Sequence, residues 1–486
     1  MISRAALGSW LRPLLYLSHN GLTLTGAVLT TSSALTMIGF WVLEVLVERP
    51  VHPYAGILLF VALPGVFVLG LVLMPLGVIL RRRKLNRPGA PARDEWRLNV
   101  SDPFVRRAIT WVALATGANV ALLSGATYRG VEYMDSTRFC GLTCHTVMAP
   151  EYTAYLESPH SRVACTECHI GPGAPWFVKA KISGARQVLA VTLGTHSRPI
   201  PSPVKHLRPS REICEQCHWP QKFHGDKLVV RTKYESDEGN TALTSILMMK
   251  VGGHRGNGGV GIHGHHLDPP DRIRYVATDE RRQVIPLVTY RDVDGQEVQF
   301  TSTEAKATKD ELAKGETRTM DCLDCHNRPS HAFELPERAV DKALAEGRIS
   351  RELPFVKKKG VELLRKEYSD RAAAGREIVM GLADYYRESY PEVHRKHRAQ
   401  IETAAAQLKA IYERNVFPEM KVTWGSYPNN IGHQDFVGCF RCHDDSHKSP
   451  SGKVISQDCN ACHTILAMDE PNPKVLSDLG MDPPSR

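Results

Sequence analysis

No cysteine in this 486-residue chain stands alone, because all twelve fall into six close pairs. A single reactive thiol or an odd intermolecular disulfide is therefore excluded. A phosphate-binding loop is missing too: the Gly-rich stretch at residues 252 to 266 has neither a Walker lysine nor an evident helix behind it. Nor is there a dispersed basic surface to suggest nucleic acid as a partner. Much of the net charge of +9 arises between residues 81 and 107, where nine Lys and Arg side chains meet only three acids. The 42% hydrophobic content is ordinary for a globular protein and does not choose a fold.

In every cysteine pair the second member is followed at once by histidine. Five strings read CxxCH: Cys165-Cys168-His169, Cys214-Cys217-His218, Cys322-Cys325-His326, Cys439-Cys442-His443 and Cys459-Cys462-His463. A sixth, Cys140-Cys144-His145, has one extra intervening residue. Chance would place roughly 0.01 CxxCH string in a chain of this composition. Cysteines three apart lie about one helical turn from each other, so both can reach one edge of a flat macrocycle while the next side chain points over its face. Two thioethers and an axial imidazole are what a c-type haem needs. Zinc does not require a histidine after every second cysteine, and disulfides, which an oxidising compartment permits, leave the six histidines unexplained. Six covalently bound haem c groups are expected, with His145, His169, His218, His326, His443 and His463 as proximal ligands.

An iron that shuttles electrons needs a second axial ligand. Fifteen histidines remain for that task. His160, His331, His433 and His447 lie close to the motifs and are candidate distal ligands, the alternative being surface histidines. His263, His265 and His266 in the Gly-rich stretch are further candidates, against a stray metal site or a simple loop lining.

Three uncharged runs, residues 21 to 43, 55 to 80 and 108 to 128, are each long enough to cross the ~30 Å hydrocarbon layer as a helix. Membrane spans are expected at about 21–46, 55–80 and 107–128, a buried core helix being the alternative. A cleaved signal peptide fits the first run poorly, since 20 residues precede it and a longer run soon follows. Pro64 and Pro75 are tolerable in a membrane helix whose neighbours satisfy the freed carbonyls. Short basic loops stay in the cytoplasm, which puts residues 81 to 107 and the N-terminus inside and everything after Tyr128 outside. All six motifs then lie on the extracytoplasmic side, which the resemblance given below makes the periplasm of a bacterial inner membrane.

Beyond the anchor, residues 228 to 234 and 284 to 300 favour β structure, and Asp294-Gly295 signals a hairpin. Residues 337 to 415 read as two to four helices with apolar residues at helical spacing, for example Val361, Leu363, Leu364 and later Ile401, Leu408 and Ile411. The tail after Ala467, with four prolines, reads as an irregular strap or a partly disordered segment. The expected fold class is a multihaem cytochrome c, mainly α, with a haem-packed core and little regular structure, three N-terminal transmembrane helices and a small β insert. Its segments would be an anchor at 1–128, a four-haem domain at 129–335 with the insert at about 219–321, a helical segment at 336–416 and a two-haem module with tail at 417–486.

From about Glu132 to His331 the motifs resemble the NapC/NirT family of membrane-anchored, quinol-oxidising cytochromes, which includes the small membrane subunit of cytochrome c nitrite reductase. CysGlyLeuThrCysHisThrValMet at 140 to 148 looks like that family's first motif, where a nearby methionine can bind iron and leave the motif histidine unligated. The resemblance makes Met148 a candidate ligand of the first haem. By the same resemblance His160 would serve the haem of His326, and His331 the haem of His218. Lys181 falls where a family member supplies lysine to the second haem, that of His169. Such a lysine must be neutral, well below its ordinary ~10.4, or else it is an interfacial cation.

Several features depart from the family. The first motif is one residue longer, the anchor has more spans, residues 219 to 321 separate the third and fourth motifs, and two more motifs follow. With these, the whole chain resembles the larger inner-membrane cytochromes with which metal-reducing bacteria pass quinol electrons towards extracellular acceptors.

The resemblance implies a quinol dehydrogenase that takes electrons from menaquinol or a relative at the outer membrane face. It would deliver them to periplasmic cytochromes or a reductase. Glu132 and Asp135, just beyond the third span, are candidate proton acceptors. Lys181, Arg186 and Gln187 are further candidates for the quinol site, although the acidic residue the family often places there is not evident. Two alternatives stand beside this reading: a haem-based terminal reductase, for which no CxxCK string is present, and an electron-relay subunit of a larger complex.

Overall fold

Backbone groups facing lipid find no hydrogen-bond partner outside their own segment, so apolar runs of this length close into helices. In the computed structural model they form α1 (Gly21–Leu46), α2 (Leu63–Leu85) and α3 (Pro103–Asp135). The structure describes residues 20–46, 62–85, 101, 103–143, 145–171, 174–204, 207–219, 225–252, 261–292 and 294–481. Two units make up the chain, residues 1–145 and 146–486.

Within the first unit α1 and α2 cross closely. A Cβ on Gly26 would lie 2.7 Å from the Gly70 carbonyl oxygen, and one on Gly70 would lie 2.6 Å from that of Gly26, so only glycine fits at either position. Thr23 Oγ1 donates to the Met74 carbonyl at 3.2 Å beside this crossing. Met37, Phe67 and Ala126 are buried together, packing α3 against the other two. Leu24, Val28 and Leu35 on α1 and Leu69 and Val72 on α2 are exposed, as lipid-facing side chains are.

Among the described residues, two helices are long and apolar enough to cross a membrane, Gly21–Gly39 and Leu63–Arg81. Three were expected. The region 107 to 128 is helical as part of α3 but is not one of the two: it is rich in Ala, Gly and Thr, with Arg107 at its start and Asn119 midway.

The second unit starts within α4 (His145–Leu156) and continues through α5 (Cys165–His169), α6 (Ala174–Thr192) and α7 (Ser210–Cys214). Then come β1 (Lys227–Tyr234), β2 (Ala242–Met249), α8 (Ile262–Leu267), β3 (Ile273–Ala277), β4 (Leu287–Arg291) and β5 (Glu297–Ser302). The hairpin between β4 and β5 turns at Gly295, whose φ of 82° favours glycine. Next are α9 (Lys309–Lys314), β6 (Glu316–Thr319) and α10 (Cys322–Cys325). Five helices follow: α11 (Pro336–Ala345), α12 (Val356–Arg365), α13 (Arg371–Ser389), α14 (Pro391–Lys396) and α15 (Arg398–Asn415). The chain continues through β7 (His447–Lys448), α16 (Cys459–Cys462), β8 (His463–Glu470) and α17 (Lys474–Asp478).

The β structure is larger than a small insert. An antiparallel sheet of order β1-β2-β8 and another of order β6-β3-β4-β5-β7 both recruit a strand from the C-terminal module. Met249 pairs with His463, so the last motif histidine is itself a sheet residue. The tail is correspondingly more regular than a strap, as β8 runs to Glu470 and α17 follows. The helical segment has an ordinary apolar core, in which Val340, Leu364, Ile378, Leu382, Tyr386 and Leu408 are fully buried.

Candidate metal centre

Each described motif is about one helical turn, and its neighbours in sequence help to form it. Asp321, just before Cys322, accepts the Leu323 amide at 2.9 Å, and Asp324 accepts the Asp321 amide at 2.7 Å in return. Asp458, before Cys459, accepts the Asn460 amide at 2.9 Å. The amides of His218, His326 and His443 close onto the carbonyl of the first cysteine of their own motifs at 2.8, 2.8 and 3.1 Å. That turn places thiols and imidazole around one point. No disulfide joins the described cysteines, and no group of three or more metal-ligating side chains gathers among the described residues. The arrangement is thus unlike a zinc site.

Five motif histidines each face one other histidine. His169 faces His331 with ring centres 6.2 Å apart, and His218 faces His160 at 6.0 Å. His326 faces His263 at 6.3 Å with the rings 5° from parallel, and His443 faces His266 at 5.8 Å. His463 faces His433 at 6.2 Å. A metal–imidazole bond is about 2 Å and a ring centre lies about 1 Å behind its nitrogen, so two imidazoles on opposite sides of one ion have centres roughly 6 Å apart. All five pairs have that spacing. It fits an iron between them.

The tautomers agree with this geometry. An imidazole whose Nδ1–H donates to a carbonyl presents its other nitrogen, Nε2, as a lone pair. Nδ1 donates to the carbonyl of Pro329 from His160 (3.2 Å), of Glu151 from His331 (2.9 Å), of Val251 from His263 (2.5 Å), of Ile262 from His266 (2.8 Å) and of Ser456 from His443 (2.9 Å). Burial holds the rings neutral as well. It lowers His169, His326, His331 and His463, and takes His266 down to about 4.

Several residues stand elsewhere than expected. His160 meets His218 rather than His326, and His331 meets His169 rather than His218. Opposite His169 stands His331, where lysine was expected; Lys181 is half-buried on α6 and belongs to none of the five pairs. His447 was expected as a distal ligand, but both its ring nitrogens are engaged, Nδ1 by Asp444 at 2.8 Å and Nε2 by the Ile285 carbonyl at 2.7 Å. Of the three histidines near 265, His263 and His266 lie on one face of α8 and His265 points outward to solvent. Of the first motif, Cys140 lies in a π-helical turn (Phe139–Thr143), while Cys144 and the His145 side chain lie outside the described residues; Met148 is half-buried on α4.

A clamp not evident in the sequence holds His331. Arg328 donates to both carboxylate oxygens of half-buried Glu151 at 3.2 and 3.0 Å and to the His331 carbonyl at 2.7 Å. Its guanidinium lies 4.4 Å from the Tyr427 ring centre. The positions of the quinol candidates are simpler. Glu132 is exposed and pairs with Arg129 at 3.0 Å, Asp135 ends α3, and Arg186 and Gln187 are exposed on α6, with Gln187 donating to Ser183 at 3.2 Å.

Residues 104–199 match the NapC/NirT cytochrome c family, N-terminal region. The chain is 42% identical to the cytochrome c-type protein ImcH of Geobacter sulfurreducens over 456 residues, which cover 93% of this chain and 89% of ImcH. The cytochrome c-type protein TorC of Escherichia coli is 28% identical over 132 residues, 26% of this chain and 32% of TorC. No solved structure matches the chain.

Proposed function

The chain belongs to the NapC/NirT cytochrome c family, and on that premise we propose that it is a hexahaem quinol dehydrogenase of the bacterial inner membrane. Menaquinol or a related quinol is the proposed donor and a periplasmic cytochrome or reductase the acceptor. The N-terminus would be cytoplasmic and the haem-bearing part periplasmic. The observation that carries the reading is the set of five histidine pairs with ring centres 5.8 to 6.3 Å apart. Haem, bound there, supplies reversible one-electron iron chemistry.

The chain's own residues have separable tasks in this reading. The twelve cysteines anchor six macrocycles by thioethers. His169, His218, His326, His443 and His463 are the proximal donors, and His331, His160, His263, His266 and His433 the distal ones. The first haem takes His145 or Met148. A histidine on each side of these five sites would leave a bound iron no open position for a small substrate, which favours a relay over a terminal reductase. Each quinol oxidised to quinone yields two electrons and two protons. Glu132 and Asp135 on α3 are the proposed proton acceptors, and Lys181, Arg186 and Gln187 on α6 are proposed to orient quinol.

The second to sixth attachment strings adjoin one another in sequence order, which supports a linear relay. α5 packs on α7 and α7 on α10, and Cys214 hydrogen-bonds to Cys322. Cys325 lies within the field of Cys439, and Cys439 within that of Cys462. The test is to reduce the detergent-solubilised protein with a menaquinol analogue while recording spectra. Six haems per chain, low-spin bands and reduction by quinol are expected. Complete haem loading without reduction by any quinol would reject the dehydrogenase reading.

A further inference from the structure

One cation is buried between two motifs without a carboxylate partner. Arg441, inside the fifth motif, is 8% exposed. Its Nε donates to the Gly438 carbonyl at 2.9 Å, Nη1 to that of Arg282 at 2.9 Å, and Nη2 to that of Asp324, inside the fourth motif, at 2.6 Å. Among the described residues no acid lies within ion-pair distance of it. The acids nearby face other partners. Asp324 takes the Tyr275 hydroxyl at 2.5 Å and Arg318 Nε at 3.1 Å, and Asp321 lies 3.5 Å from Arg318. Glu316 is held by Arg282, and Asp444 by His447 and Ser446.

The field of this guanidinium reaches both motifs. Arg441 stands between Cys439 and Cys442, and Asp324, whose carbonyl it reaches at 2.6 Å, stands between Cys322 and Cys325. The same two motifs share one ligand helix, since His263 and His266 of α8 face His326 and His443. In a dry interior a charge acts far more strongly than in water. Oxidised iron carries one more positive charge than reduced iron, so a fixed cation beside two haems favours the reduced form of each.

We propose that Arg441 is a positioning residue that raises the reduction potentials of the fourth and fifth haems together, making them the step of the relay where electrons rest. The proposal depends on the haem assignment above. It is tested on the purified, haem-loaded full-length protein by potentiometric titration followed optically and by EPR. In Arg441→Gln the potentials of two haems should shift downward and the others stay in place. These two should be the haems whose bis-histidine signals disappear in His263→Ala and His266→Ala.

Arg441→Lys, which keeps the charge, should restore most of the shift. Asn430→Asp gives a second approach without removing the arginine. Asn430 Nδ2 reaches the same Asp324 carbonyl at 3.1 Å, so a carboxylate there would lie beside the guanidinium and lower the same pair. Unshifted potentials in haem-replete Arg441→Gln, a shift spread over all haems, or a lysine variant shifted as far as the glutamine variant would each overturn the proposal. If Arg441→Gln does not fold, unshifted potentials in Asn430→Asp overturn it. Failure of the haem assignment would look different: the wild-type protein itself would lack five bis-histidine signals.

Discussion

Residues 336–415 and residues 146–218 lie in the same unit but are held together differently. In the helical segment, side chains from four helices bury one another, with Val340, Leu364, Ile378, Leu382, Tyr386 and Leu408 fully enclosed. In the earlier region only Val147, Pro150, Ala154, Tyr155 and Ser210 are buried among the described residues, although it contains two motifs and helices as long as α6. The first has enough apolar burial to be stable in the usual way. The second lacks it, and the ring pairs mark where the proposed macrocycles would supply the missing surface. A large cofactor thus does for one region what leucines do for the other.

The strongest way to break this contrast is to withhold haem. Full-length chain made without haem attachment should show amide exchange in residues 146–218 close to unfolded rates while α11 to α15 remain protected. Equal protection in both would remove the distinction. Next in size is the Arg328–Glu151 pair, in which both side chains are largely buried. Arg328→Ala removes the guanidinium from Glu151 and should cost about 3–5 kcal/mol, seen as a lower denaturation midpoint with loss of the low-spin signal of the haem that His331 is proposed to serve.

Leu382→Ala in the bundle should cost about 2–5 kcal/mol by leaving a cavity, and here the haem spectra should not change. A spectral change would mean that the two regions are less separate than their packing suggests. The smallest effect concerns acid. Asp370 caps α13 by accepting the Ala373 amide at 2.7 Å, and that bond holds its carboxyl below the ordinary value of 3.8. The unfolded chain then binds more protons between the two values, so the stabilisation is complete above 3.8 and fades as pH falls through the depressed value. Melting curves of Asp370→Asn should lack that acid slope while those of the wild-type protein show it.

Much of the chemistry was legible because it is local. Two cysteines and a histidine within five residues meet the needs of one haem edge whatever surrounds them, and the apolar runs that became α1 and α2 are apolar in any context. The Asp-Gly turn between β4 and β5 and the periodic leucines of the bundle are read by the same short-range rules. The limits appear where a residue's partner is distant. Nothing near His447 in sequence reveals that Asp444 and the Ile285 carbonyl occupy both its nitrogens, and nothing in the tail reveals that β8 completes a sheet begun at β1.

What the sequence by itself determined was therefore the cytochrome c class and the apolar anchor, since these depend on spacing within a turn or on composition within a run. Which histidine meets which motif was decided only by the tertiary structure. His331 reaches His169 and His160 reaches His218 because α4, α5 and the loop after α10 are folded against one another, with Arg328 and Glu151 clamping that loop. His266 rather than His265 turns inward because one step along a helix rotates a side chain by about 100°, and the packing of α8, not the order of residues in it, chose the face.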